Sequence, residues 1–257
     1  MSAVIVYCGS FDPITKSHIA ALDGAIDFLE TEIEANTPKE LGGRGVYRTY
    51  LSPIANDYLW KPSASIHDRQ RMLELATHES RHKERVMVDT LHSSESGKLS
   101  TIYTILEDFR NAFSDKHLYL LCDPDLVRLM CDEKQWPTEF VEKLFGIASL
   151  LVAAGNSHPD VRDVVHLGIM INRNPTLAAA HAAKRLWLLP DVTLDDSSDV
   201  ARQCCREDES EYDGFGTPPK GSPQLRTLVS CLPLTVLTYI KRHHLYGAGG
   251  GEEASTA

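Results

Sequence analysis

The stretch Val4-Ile5-Val6-Tyr7-Cys8-Gly9-Ser10-Phe11-Asp12-Pro13-Ile14-Thr15-Lys16-Ser17-His18 decides how the rest of the chain is read. Its first part is a short β-branched run that ends at a glycine. A turn follows, and from Ser17 to Glu30 the apolar residues return at helical spacing. Strand, loop and helix in that order bring backbone N–H groups and a helix N-terminus to one spot, which favours an anion such as a phosphate. Thr15 and His18 are three residues apart at the helix start, so both side chains can face that spot. A histidine placed there can donate to a phosphate oxygen and steady charge that develops during displacement.

Composition sets the outer limits. The chain has 257 residues, 42% hydrophobic and 24% charged, which suits a soluble globular protein with a sizeable core. Its net charge of −10 argues against a nucleic-acid or anionic-membrane binder, either of which needs a basic face. An anionic nucleotide would therefore be held by a local cluster of basic groups and N–H donors. The six cysteines form no Cys-x-x-Cys pair, and the eleven histidines form no metal-binding pattern. Reduced thiols, no structural zinc and no protein-held metal are expected. The sequence shows no signal peptide and no membrane-crossing apolar run, so a cytoplasmic location is expected, with the nucleus left open.

The alternation continues along the chain. Strands are expected at Ala3–Cys8, Tyr47–Ile54, Val86–Val88, Leu118–Cys122, Ile147–Ala153 and Leu186–Leu189. Helices are expected at Ser17–Glu30, Ile66–His78, Ser100–Phe113, from Asp125 to Met130, and at Pro137–Phe145, Pro159–Leu167, Pro175–Arg185, Ser197–Arg206 and Leu232–Leu245. This predicts an α/β fold: a Rossmann-like parallel sheet with helices on both faces and a C-terminal helical segment. Residues 1–246 read as one domain, 207–223 as a mobile insert within it, and 247–257 as a disordered tail. Polar loops follow the strands at Gly9–His18, Tyr58–Lys61, Asp89–His92, Asp123–Asp125 and Ser197–Arg202. In a parallel sheet these loops gather at one edge, where such folds bind ligands.

Ser197-Ser198-Asp199-Val200-Ala201-Arg202 opens a helix after the last strand. Its serines can cap the helix and donate hydroxyls, and Arg202 can fork onto phosphate oxygens one turn along. Ser222-Pro223-Gln224-Leu225-Arg226 is a second candidate for the same role, with Arg202 preferred over Arg226.

Gly9-Ser10-Phe11-Asp12-Pro13-Ile14-Thr15-x-x-His18 resembles the signature loop of the nucleotidylyltransferase superfamily, Gly-(Ser/Thr)-Phe-(Asn/Asp)-Pro-x-(His/Thr)-x-x-His. Ser197, Ser198 and Arg202 are similar in spacing to that family's Ile-Ser-Ser-Thr-x-x-Arg phosphate clamp. Ser52 to Tyr58 with Lys61-Pro62 and His67 to Met72, Val88-Asp89-Thr90, Leu120 to Leu126 with Trp136, and Leu232 to Tyr246 resemble the eukaryotic type of nicotinamide/nicotinate mononucleotide adenylyltransferase.

The resemblance implies transfer of an adenylyl group from ATP to the mononucleotide, with Mg²⁺ carried mainly by the ATP phosphates. His18 and Arg202 would be the catalytic pair. Gly9, Ser10, Phe11, Thr15, His18, Asp125, Ser197, Ser198 and Arg202 would bind ATP. Ser10, Phe11, Tyr58, Lys61, Thr90, Leu91 and Trp136 would bind the mononucleotide, Lys61 at its phosphate and Trp136 on its ring. A homo-oligomer is compatible with this reading, which leaves open whether the amide or the acid substrate is preferred. The chain departs from the family pattern at Leu91 (tryptophan), His92 (glutamate), Asp123 (glycine) and Asp199 (threonine), and has aspartate in place of the usual asparagine at Asp12. These departures keep two alternatives in play: another nucleotidyl transfer such as that to phosphopantetheine, and a non-catalytic nucleotide-binding relative.

Overall fold

The structure is a computed structural model that describes residues 2–36, 45–54, 63–92, 100–155, 164–194, 197–208 and 222–247. The chain runs β1 (Ala3–Gly9), α1 (Lys16–Asn36), β2 (Val46–Pro53), α2 (Ile66–Thr77), β3 (Val86–Val88), α3 (Ser100–Ala112) and β4 (His117–Cys122). It continues with α4 (Pro124–Met130), α5 (Thr138–Ile147), β5 (Ser149–Gly155), α6 (Val164–Arg173), α7 (Pro175–Ala182) and β6 (Leu186–Leu194). Three helices close it: α8 (Ser198–Glu207), α9 (Pro223–Cys231) and α10 (Leu234–Arg242).

All six strands pair in parallel, in the order β3-β2-β1-β4-β5-β6. From β1 the chain winds outward to β3, then returns to lay β4 on the other side of β1. The strand order therefore reverses between β1 and β4, and this is where open α/β sheets form their binding crevice. Alternate residues of β1 serve two separate cores. Ala3, Ile5 and Tyr7 pack with α1, α2 and the closing helices, while Val4 and Val6 pack with α3 to α7. Both faces of the central strands are thus buried, which explains why β1 and β4 read as continuous apolar runs. Each buried Val or Leu in them contributes roughly 1.5–3 kcal/mol.

The Rossmann-like sheet with helices on both faces agrees with the sequence reading. Three local differences have physical causes. Strand β6 runs past Pro190 to Leu194, because an edge strand with a register shift tolerates a residue that has no N–H to donate; the shift in its pairing with β5 comes after Ala153. Helix α6 ends at Arg173, beyond the expected Leu167, because Ile171 continues the buried stripe of Leu167. Helix α9 was not expected at all. Ser222 caps it by accepting from the Leu225 N–H, Pro223 opens it, and Leu225, Leu228 and Cys231 form its buried face.

The ends of 207–223 are helical: Glu207 closes α8 and Pro223 opens α9. Between them, Asp208 accepts from Ser222 Oγ at 2.9 Å and pairs with the buried Lys241 ammonium of α10. The 209–221 segment and the 248–257 tail lie outside the described residues. Among the described residues, no helix is long and apolar enough to cross a membrane.

Candidate active site

The loop after β1 is built tightly. Phe11 has φ of +47°, a left-handed conformation that is uncommon for a bulky residue and is held here by packing. Its ring is buried edge-on to Tyr7, with centroids 5.2 Å apart, and to His18, at 5.4 Å. Gly9 suits this arrangement, because a Cβ at that position would come within 3.1 Å of the Phe11 ring and press on it. The Asp12–Pro13 peptide bond is cis.

Three buried or half-buried groups fix the loop to the rest of the fold. The Asp12 carboxylate accepts from the Ser63 N–H at 2.7 Å, the Ala64 N–H at 3.1 Å and the Tyr246 hydroxyl at 2.7 Å. Burial and the neighbouring Asp12 hold the Tyr246 hydroxyl well above its usual range, so it stays a donor. Arg69, only 1% exposed, donates through one nitrogen to the Ser10 carbonyl at 2.6 Å and the Ile54 carbonyl at 2.7 Å. Sequence reasoning assigned no role to Arg69 or Tyr246. The signal for Arg69 was its place in the α2 stripe between Ile66 and Met72, where an exposed arginine does not belong.

Thr15 sets the state of His18. The Thr15 backbone N–H donates to His18 Nδ1 at 3.0 Å, and Thr15 Oγ1 lies 2.7 Å from the same nitrogen. A nitrogen that accepts a backbone N–H carries no proton, so the neutral ring holds its hydrogen on Nε2. Burial pushes the His18 pKa down from 6.5 to about 4. The ring is therefore a neutral donor at physiological pH. Between pH 6.5 and about 4 the unfolded chain binds the proton more readily than the folded one. The His18 contribution to stability thus falls as pH drops through that window and is constant above it. An NMR titration of the His18 ring should show a midpoint near 4 and the Nε2–H tautomer at pH 7. A midpoint near 6.5 would contradict this reading.

Helix α8 docks directly on the loop. Ser198 Oγ donates to the Pro13 carbonyl at 2.8 Å, and Arg202 donates to the Asp12 carbonyl. Arg202 also lies 3.6 Å from the Asp12 carboxylate and pairs with Asp199 one turn back. Ser197 caps the helix by accepting from the Asp199 N–H at 3.1 Å. Arg226, the alternative clamp, is exposed on α9. That helix meets the loop region through Lys16, whose ammonium donates to the Val229 carbonyl at 2.8 Å.

The remaining sequence-predicted residues are spread along the carboxyl edge of the sheet. Asp89, buried at the end of β3, accepts from Ser52 Oγ, the Leu91 N–H and His92 Nδ1, and His92 Nε2 reaches Asp108 at 3.1 Å. Thr90 is exposed, and Leu91 is 85% exposed. Asp125 is in the first turn of α4, 3.7 Å from Arg128, and Asp123 caps that helix. Trp136 is 7% exposed and packs in the core on the α3 to α7 face. Tyr58 and Lys61 lie outside the described residues. Cys8, next to last in β1, and Cys122, last in β4, lie on either side of the switch point. Burial, aided by Asp89 and Asp123, keeps both thiols protonated.

Among the described residues no group of three or more His, Cys, Asp or Glu side chains is arranged to hold a metal. The two carboxylates that pair with Arg202 already accept from other donors or from Arg202 itself. A divalent cation carried on phosphates and water would need few ligands from such a set.

The cytidylyltransferase-like family model matches residues 6–149, more than half of the chain. Two curated proteins of Saccharomyces cerevisiae are similar to it: nicotinamide/nicotinic acid mononucleotide adenylyltransferase 2, 28% identical over 163 residues, and adenylyltransferase 1 of the same name, 26% identical over 163 residues. Each match takes in 58% of this chain and spans only 38% of the relative's length. Among solved structures, Plasmodium falciparum nicotinic acid mononucleotide adenylyltransferase complexed with NaAD superposes with a TM-score of 0.60 at 16% identity, over 96% of this chain and 98% of that one. The same protein complexed with APC gives 0.61 at 17% identity, with the same coverage. Both carry the same fold as this chain.

Proposed function

Because the chain belongs to the cytidylyltransferase-like family, we propose that it is an adenylyltransferase joining ATP to nicotinamide or nicotinate mononucleotide. The products are the dinucleotide, NAD or its acid form, and pyrophosphate. One observation carries this reading. Helix α8, whose Ser198 lies 185 residues beyond Pro13, fastens Ser198 and Arg202 onto the loop that holds a neutral His18, beside the sheet's switch point. That arrangement brings phosphate-binding groups from two distant parts of the chain to one loop. The names of the yeast and Plasmodium proteins support the choice of acceptor.

The chemistry needs no protein nucleophile. An oxygen of the mononucleotide phosphate attacks the α-phosphorus of ATP in line, the α–β bridging bond breaks, and pyrophosphate leaves with the bond's electrons. His18 donates through Nε2–H to a phosphate oxygen and steadies the charge that builds there. Arg202, with the Ser197 hydroxyl and the Ser198 backbone N–H at the start of α8, holds the β- and γ-phosphates of the leaving group. Asp125 receives a ribose hydroxyl, and Ser10 and Phe11 line the nucleotides with backbone. On the acceptor side, the exposed Thr90 and Leu91 would contact the mononucleotide, and the resemblance gives Tyr58 and Lys61 the same role. Bound Mg²⁺ would add charge neutralisation on the phosphates.

The test is pyrophosphate release from ATP, with the nucleotide products identified. Nicotinamide mononucleotide, nicotinate mononucleotide and phosphopantetheine are supplied in turn. Dinucleotide formation with either mononucleotide is expected. Turnover with phosphopantetheine alone, or ATP binding with no turnover on any acceptor, overturns the proposal.

A further inference from the structure

Arg202 already has an anion on it. One guanidinium nitrogen is committed to the Asp12 carbonyl, with the Asp12 carboxylate 3.6 Å away, and the other is paired with Asp199. The two carboxylates differ in freedom. Asp12 is buried and tied by Ser63, Ala64 and Tyr246, so it stays where it is. The Asp199 side chain is 71% exposed, whereas that of Arg202 is 18% exposed. A ligand approaching from solvent therefore meets Asp199 first, with the guanidinium beneath it. Asp199 stands where the resembling phosphate motif has threonine, a residue that cannot pair with the arginine as an anion.

We propose that Asp199 is a built-in competitor for the nucleotide: its carboxylate occupies Arg202 in place of phosphate oxygens and sets the affinity for the triphosphate. The proposal rests on the adenylyl-transfer reading and concerns the leaving-group end of that site. An exposed carboxylate–guanidinium pair is weak, because water and salt screen it. A polyphosphate of several charges displaces it, and the displaced carboxylate then lies beside the polyanion as a like charge. Both effects lower affinity. Asp199 is retained at low local cost, since a negative charge in the first turn of α8 suits the helix dipole.

Calorimetric titration of ATP into the full chain, with and without Mg²⁺, tests this in the native protein and in Asp199→Asn and Asp199→Thr. Both variants should bind ATP about three- to tenfold more tightly, and the gain should shrink as salt is raised. In an Arg202→Ala background the same substitutions should gain less, because the competition is then gone and only like-charge repulsion remains. An equal gain in both backgrounds overturns the proposal. So does unchanged or weaker binding by both variants when the native chain binds ATP. Weakening confined to the Mg²⁺ titrations overturns it too, by making the carboxylate a metal ligand. If no protein binds ATP, the adenylyl-transfer reading fails, and this inference with it.

Discussion

Replacing His18 with alanine lowers kcat by roughly 10²- to 10³-fold, the scale of losing one donor aimed at developing charge, while the folded state persists. The geometry argues for a specific role. Nδ1 is held by the Thr15 N–H, so the neutral ring has one donor, Nε2–H. With its pKa pushed down to about 4, the ring does not gain a second proton at any pH where the enzyme would ordinarily be assayed. The acid limb of the native pH–rate profile should therefore not fall at 6.5 on account of His18. The expected defect lies in kcat more than in KM, because the donor matters most when charge builds in the transition state. Single-turnover kinetics with saturating ATP and mononucleotide check this. A variant that retains kcat within about threefold of the native value removes His18 from the mechanism.

The second large effect is expected at Arg69. Arg69→Met removes a buried guanidinium that donates to the carbonyls of Ser10 and Ile54. Hydrogen bonds from charged groups contribute about 1.5–3 kcal/mol each, and a buried acceptor left without its donor costs about 1–3 kcal/mol. A loss of roughly 3–5 kcal/mol follows, or about 6–20 °C in Tm for a chain of this size. Arg71→Met, two residues along the same helix, is the contrast. Its guanidinium pairs with Glu74 on the surface, both side chains about half exposed, so its removal should change stability by less than about 1 kcal/mol. Thermal unfolding of the two variants side by side decides the matter. Equal shifts would mean that the Ser10 carbonyl is not held by Arg69 in solution. Where the Arg69 variant stays folded, its kcat/KM should also fall, since the loop carrying Phe11 and His18 has lost an anchor.

The fold was legible because its signal is local and repeated. Runs such as Val4–Cys8 and Leu118–Cys122 are short, apolar and separated by helical stretches, and this pattern admits few solutions besides a covered parallel sheet. The loop from Gly9 to His18 was legible for the same reason, since its residues are neighbours in sequence. What holds the loop was not legible. Asp12 meets partners at positions 63, 64, 202 and 246, and no local period links such distant residues. Arg69 did leave a trace, a charge inside an apolar stripe. Ser222-Pro223 stood only as the second candidate for a phosphate motif, and the structure shows Ser222 capping a helix; a serine that accepts from a backbone N–H and one that donates to phosphate look alike in sequence. The contact between Asp199 and Arg202 follows from their i, i+3 spacing, but its consequence shows only once Arg202 is seen docked on Asp12.

The Asp208–Ser222 hydrogen bond, backed by the Lys241 ammonium, makes positions 208 and 222 spatial neighbours whatever runs between them. Loop-closure entropy rises only slowly with length, by about 0.6 kcal/mol per doubling. The helices on either side of that pair, α8 and α9, therefore keep their spacing at little cost when the number of residues joining positions 208 and 222 changes.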